Sequence, residues 1–156
     1  MKKLLIAVIV VLISAAAFAG DTEDAAKFAT QFYNWVLKAP NQAGTLGVCQ
    51  RKKQWFDPAL LSLWLQAEDH VPIGEGRCLG FDPFTNAQDV ISQFTVGKVV
   101  PQGDQFIVDV DVFLGKTKST VQLALKKQNS GFQVANVSSK GWDLQRLLNR
   151  CRPSQR

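Results

Sequence analysis

Between Phe106 and Leu125 apolar and polar residues alternate on either side of a glycine, and no other stretch limits the fold as tightly. Phe106, Val108, Val110 and Val112 point one way while Ile107, Asp109, Asp111 and Phe113 point the other, the period-two pattern of a strand with one buried face. Gly115-Lys116 has the make-up of a two-residue hairpin turn. A turn there sets Val110 opposite Val121, Val108 opposite Leu123 and Phe106 opposite Leu125, so the apolar faces of the two strands coincide. A slip of one residue would oppose the same side chains to Thr120, Gln122 and Ala124. Turn chemistry and burial therefore select one register.

A strand near residues 94–100 and another near residues 132–137 connect to this hairpin through Gln102-Gly103-Asp104 and Asn129-Ser130-Gly131, giving an antiparallel meander of about four strands. Ahead of it the period changes. Ala25, Phe28, Ala29, Phe32 and Val36 recur at helical spacing, Asp21, Glu23 and Asp24 put negative charge at the positive end of the helix dipole, and Pro40 is the stop. Tyr33 and Leu37 widen the stripe and Trp35 points elsewhere, which predicts cover on more than one face. A second helix starts near Thr45. Asp57-Pro58 is an N-cap followed by proline at the first helical position, and Leu60, Leu61 and Trp64 form the inner face of a helix that ends before Pro72. Residues 143–148 read as a short C-terminal helix. Helices followed by antiparallel strands make an α+β fold, with the N-terminal helices packed on one face of a curved sheet.

Lys2 and Lys3 precede an unbroken apolar run from Leu4 to Ile13, and Ala17-Phe18-Ala19 puts small residues where a signal peptidase reads. Residues 1–19 are expected to be a cleaved signal peptide, and residues 20–156 one domain in the periplasm or secreted. A membrane anchor needs about 20 apolar residues. The run from Leu4 to Ala19 falls short, so no stable membrane insertion is expected after cleavage, and no cysteine follows closely enough to take a lipid. Of 156 residues 137 remain, enough for a single core, and loss of the two lysines lowers the formal charge from +5 to +3. The cations are spread along the chain apart from Arg51-Lys52-Lys53 and the tail Arg146, Arg150, Arg152 and Arg156. Lacking a basic stripe with aromatic platforms, the chain is not expected to bind nucleic acid.

An oxidising compartment predicts one disulfide among Cys49, Cys78 and Cys151. Three pairings are open. Cys49 with Cys78 is preferred because it closes a loop around the middle helix, a bridge of about 3–4 kcal/mol by loop entropy. Cys151 would then sit in the basic tail, available to another subunit. No two cysteines have zinc-site spacing and His70 is the one histidine, so no metal site is expected, and no cofactor motif is present. His70 follows Glu68-Asp69 near a helix end, where an imidazole is favourable without any catalytic part. It lacks the partners of a triad.

Asp109 and Asp111 stand about 7 Å apart on one strand face. Such a pair can split into acid and base if burial raises one pKa, although Gln122 and Thr120 as neighbours equally suit a solvated outer face. At Asp82-Pro83 the proline favours a turn and the carboxylate can accept local N–H groups. Asp82, Asn86, Gln88 and Asp89 then form either a polar cluster at a pocket mouth, able to hold a hard cation, or a loop that satisfies its own polar groups. The second is the plainer reading. Trp55-Phe56, beside Arg51, Lys52 and Lys53, is a candidate anchor for a partner.

The segment Gly80-Phe81-Asp82-Pro83-Phe84-Thr85-Asn86-Ala87-Gln88-Asp89 resembles the D-P-F-x-N-x-Q-D stretch of the DUF3828 proteins. Phe32-Tyr33 with Trp35, then Asp57-Pro58-Ala59-Leu60, then residues 131–137 and 143–148, stand in the same order, so the resemblance covers nearly all of residues 20–156. The chain departs from it at Phe132, where tryptophan is common. The resemblance implies a bacterial protein with an NTF2-like cone of helices and bent sheet around a pocket, and a homodimer through the open sheet face. With no catalytic signature, the function it implies is a non-catalytic binding module for a protein or an apolar small molecule. Two alternatives stand beside it: an immunity-type inhibitor of a secreted toxin, and a small hydrolase or isomerase using Asp109 or Asp111. The intact mass of the protein recovered from the periplasm is expected to match a chain that begins at Gly20, and a mass retaining Met1 would contradict the leader reading.

Overall fold

The computed structural model describes residues 2–39, 46–71 and 77–151, with side chains from Gly20 onward. The predicted stops at Pro40 and Pro72, the predicted start at Thr45 and the tail arginines Arg152 and Arg156 lie outside the described residues. In chain order the elements are α1 (Lys2–Lys38), α2 (Leu46–Arg51), a 3-10 turn (Lys53–Trp55) and α3 (Pro58–Asp69). They are followed by β1 (Gln93–Gln102), β2 (Gln105–Leu114), β3 (Thr117–Gln128), β4 (Gly131–Ser139), β5 (Trp142–Asp143) and α4 (Leu144–Cys151). The strands form one antiparallel sheet in the order β1-β2-β3-β4-β5. The fold is α+β with helices on an open antiparallel sheet, and the expected four strands gain a fifth of two residues, too short to show as alternation.

The hairpin register is the one the alternation selects: Val110 pairs with Val121, Val108 with Leu123 and Phe106 with Leu125. Gly115 sits at the first central position of the turn with φ 59°, the glycine site of a type II′ hairpin. All six apolar side chains of these pairs are buried, whereas Asp109, Asp111 and Thr120 stay in contact with solvent on the other face. Register shifts between Val96 and Val99 in β1 and between Ala124 and Leu125 in β3 bend the sheet. At the free edge, the β1 shift together with Lys98 and Pro101 discourages pairing with another strand.

The buried face is covered by α1, which presents Ala25, Ala29, Phe32, Tyr33 and Val36 to it, all at or below 3% exposure. Trp35, on another side of α1, is covered in turn: its ring lies 5.7 Å from Trp55, which approaches at 90°, and 6.5 Å from Phe56. The segment of α2 and the 3-10 turn thus supplies the second cover that Trp35 called for. Asp57 joins this segment to the sheet. Its N–H donates to the Val134 carbonyl (2.9 Å), one carboxylate oxygen caps α3 through Ala59 N–H (2.7 Å), and the other pairs with Lys126 (3.1 Å). Leu60, Trp64 and Ala67 are the buried face of α3. Among the residues described with their side chains, no helix is long and apolar enough to cross a membrane.

The disulfide joins Cys78 to Cys151, not Cys49 to Cys78. α2 turns Cys49 into the core, fully buried, while α4 packs beside α3 and brings the Cys151 Cα to 5.8 Å from that of Cys78. The bridge spans 73 residues, so loop entropy gives it about 4 kcal/mol, more than the shorter loop would. Peptide mapping without reduction is expected to recover Cys78 linked to Cys151. The Cys78→Ser/Cys151→Ser double variant should lose about 2–4 kcal/mol in urea unfolding; a Cys49–Cys78 peptide would contradict the pairing.

Candidate functional site

The loop of residues 80–89 holds itself together. Asp82 accepts the Phe84 N–H at 2.8 Å through its carboxylate, and its own N–H donates to the Ala87 carbonyl at 2.9 Å. The Gln88 amide donates to the Gly80 carbonyl at 3.0 Å. Asn86 takes a left-handed backbone with φ 53°, a conformation asparagine tolerates better than most residues, and its side-chain oxygen accepts the Trp142 indole N–H at 2.8 Å. Phe81 packs edge-on against the same indole at 5.1 Å. Trp142, on β5, is the residue that ties the loop to the sheet, and nothing in its sequence surroundings marks it for that part.

Phe84 is the apolar counterpart of this anchoring. Fully buried, it meets Phe32 edge-on at 5.1 Å, Phe56 at 5.9 Å and Trp64 at 6.2 Å, and its carbonyl accepts the Tyr33 hydroxyl at 2.8 Å. Aromatic pairs at these separations add to plain area burial. Between helices and sheet, where the resemblance implies a pocket, the structure places this cluster of rings. Asp89 is exposed at the end of the loop. Among the described residues no three His, Cys, Asp or Glu side chains gather as a metal site.

Asp109 and Asp111 do share the outer face of β2, and their neighbours are the predicted ones. Gln122 donates to Asp109 at 2.8 Å, and Thr120 to Asp111 at 2.7 Å. Lys118 adds an ion pair to Asp111 at 2.7 Å. The hydrogen bond from Lys118, followed by that from Thr120, holds the Asp111 carboxyl below the usual carboxylate range. For Asp111 this is the opposite direction from the raised pKa that a general acid needs. His70 stands at the C-terminal cap of α3, its Nδ1 2.6 Å from the Gln66 carbonyl.

A shallow groove of about 560 Å³ opens elsewhere, between residues 24–31 of α1, Gln54-Trp55, and the turn from β3 to β4. Phe28, Trp55 and the largely buried Phe132 supply its apolar surface, and Gln31, Gln54, Gln128 and Asn129 line it with amides. Trp55 was the legible member. The amides come from three separated segments, and isolated polar residues give no signal in a sequence. Lys52 lies over the Trp55 ring at 4.9 Å, a cation–π contact that holds the indole in place.

No family model and no curated protein matches the chain. Among solved structures, a chain in the crystal structure of the type VI effector–immunity complex Tae3–Tai3 from Ralstonia pickettii is similar to it, with a TM-score of 0.53 and 18% sequence identity. The match covers 76% of this chain and 96% of that one. At that identity the likeness is one of fold.

Two buried groups have pKa values moved by their surroundings. Burial, and then the Asp82 carboxylate, pushes both the Tyr33 phenol and the Cys49 thiol well above their usual range. Tyr33 is the one tyrosine of the chain, so its ionisation can be followed alone by tyrosinate absorbance. Because the folded protein holds this proton more tightly than the unfolded chain, the associated stability is complete below the unfolded value of 10.0 and is lost as pH rises through the folded one. Tyrosinate absorbance is expected to appear together with alkaline unfolding, well above that value. Tyr33→Phe should cost about 1–2 kcal/mol near neutral pH, by leaving the Phe84 carbonyl unpaired, and should remove this part of the alkaline sensitivity. Free titration of Tyr33 in the folded protein near its ordinary value would contradict both.

Proposed function

We propose that this chain works by binding a protein, as an immunity-type inhibitor of a secreted toxin, outside the cytoplasm. The observation that carries the reading is the fold shared with a chain of an effector–immunity complex over 96% of that chain's length. The Cys78–Cys151 bridge supports the compartment, because such bonds persist where the surroundings are oxidising, and so does the leader reading of residues 1–19. With this goes the assignment to the DUF3828 proteins and their NTF2-like fold, which rests on the residues of the 80–89 loop. An aromatic interior favours a protein partner over an apolar small molecule held between helices and sheet. The hydrolase or isomerase reading is the weaker one, since Asp111 is engaged by Lys118 and Thr120, and Asp109 by Gln122, on the solvent-facing side of the sheet.

The test is survival of the producing bacterium beside a toxin-delivering competitor. Deleting the chain is expected to lower survival, and the full chain, leader included, to restore it. Expression without residues 1–19 should not restore it. Unchanged survival on deletion would overturn the reading.

A further inference from the structure

We propose that the groove between α1 and the β3–β4 turn binds a short, uncharged oligosaccharide. This goes beyond the inhibitor reading and does not depend on it. Two half-buried rings, Phe28 and Trp55, stand 6.2 Å apart with planes at 74° along the groove. The side-chain amides of Gln31, Gln54, Gln128 and Asn129 line it, and none makes a hydrogen bond to another of the described residues. Each amide offers both a donor and an acceptor. Each sugar hydroxyl does the same, and the C–H face of a pyranose ring packs against an aromatic face. Amides beside rings are therefore the complement of a polyhydroxylated ligand.

The charges at the groove point to an uncharged one. Lys27 is paired with Glu23 at 2.8 Å and with Asp24 at 3.4 Å, and Lys127 is paired with Asp21. An anion would need a cation not already paired, and a cationic ligand an unpaired carboxylate. A groove of about 560 Å³ lies within the size range of small-molecule sites, large enough for more than one sugar ring. Lys52 over the ring at 4.9 Å and Trp35 at 5.7 Å with its plane at 90° hold the Trp55 ring in a fixed orientation.

The experiment is an NMR titration of ¹⁵N-labelled protein, expressed with its complete leader and purified as the cell processes it. The probes are the N-acetylglucosamine trimer, cellotriose and maltotriose at millimolar concentration. At least one is expected to give saturable shifts in the side-chain amide signals of Gln31, Gln54, Gln128 and Asn129 and in the Trp55 indole N–H. The indoles of Trp35, Trp64 and Trp142 should stay in place. Gln31→Ala and Gln128→Ala, both at exposed positions that leave the core intact, should each weaken binding by about tenfold, the effect of losing one hydrogen bond or a little more. Absence of saturable shifts with all three sugars would overturn the proposal, as would shifts at these signals that the two alanine variants leave unchanged. Loss of sugar binding with protection against the toxin retained, or the reverse, separates this site from the inhibitor function.

Discussion

The sheet has one apolar face, and the arrangement of everything else answers to that. Val108, Val110, Val121, Leu123 and Leu125 are fully buried, and none of them could be so on a two-strand ribbon in water. α1 therefore lies on them, and because Ala25 and Ala29 are small, the helix comes close enough for Phe32 and Tyr33 to reach between it and the sheet. Those rings need cover of their own, which Phe56, Trp64 and Phe84 provide. Each layer is demanded by the one beneath it, and the polar side of β2 and β3 is left to solvent as a consequence.

This dependence explains why the residues that hold irregular segments are polar and few. Asp57 is largely buried, yet all its polar atoms are used: N–H to β4, one oxygen to the helix it caps, the other to Lys126. Asp82 does the same for the 80–89 loop, with Phe84 as its apolar weight and Trp142 as its tie to β5. Asp143 repeats the device at the start of α4, accepting the Arg146 N–H at 3.0 Å and the Asn136 amide at 2.6 Å. Left without such partners the largely buried Asp57 carboxylate would cost several kcal/mol, and the half-buried Asp82 and Asp143 fasten their segments by bonds of the same kind.

What the sequence made legible follows the same division. Period-two alternation on β2 and β3, the Asp57-Pro58 start and the helical stripe of α1 are local patterns, and local patterns were enough to place them and to set the hairpin register. The turn at Asp82-Pro83 was legible because an Asx turn is local as well. The disulfide was not. Whether Cys78 meets Cys49 or Cys151 is decided by where α4 packs, a contact across 73 residues that no spacing encodes. Trp142 holding Asn86, and amides from three segments meeting at one groove, escaped for that same reason.

Among the described residues, the titratable groups that the fold perturbs are moved away from neutrality. Tyr33 and Cys49 are pushed up by burial, and Asp111 is drawn down by Lys118. A general acid or base works best with a pKa near the operating pH, and in enzymes burial and charged neighbours are used to bring it there. Here the same forces act in the opposite sense, fixing each group in one protonation state across the physiological range. Side chains locked in this way serve as fixed hydrogen-bond and packing elements, Tyr33 and Cys49 inside the core and Asp111 on the outer face of β2. A ligand held by the neutral amides and half-exposed rings beside α1, as proposed, binds without any proton changing hands.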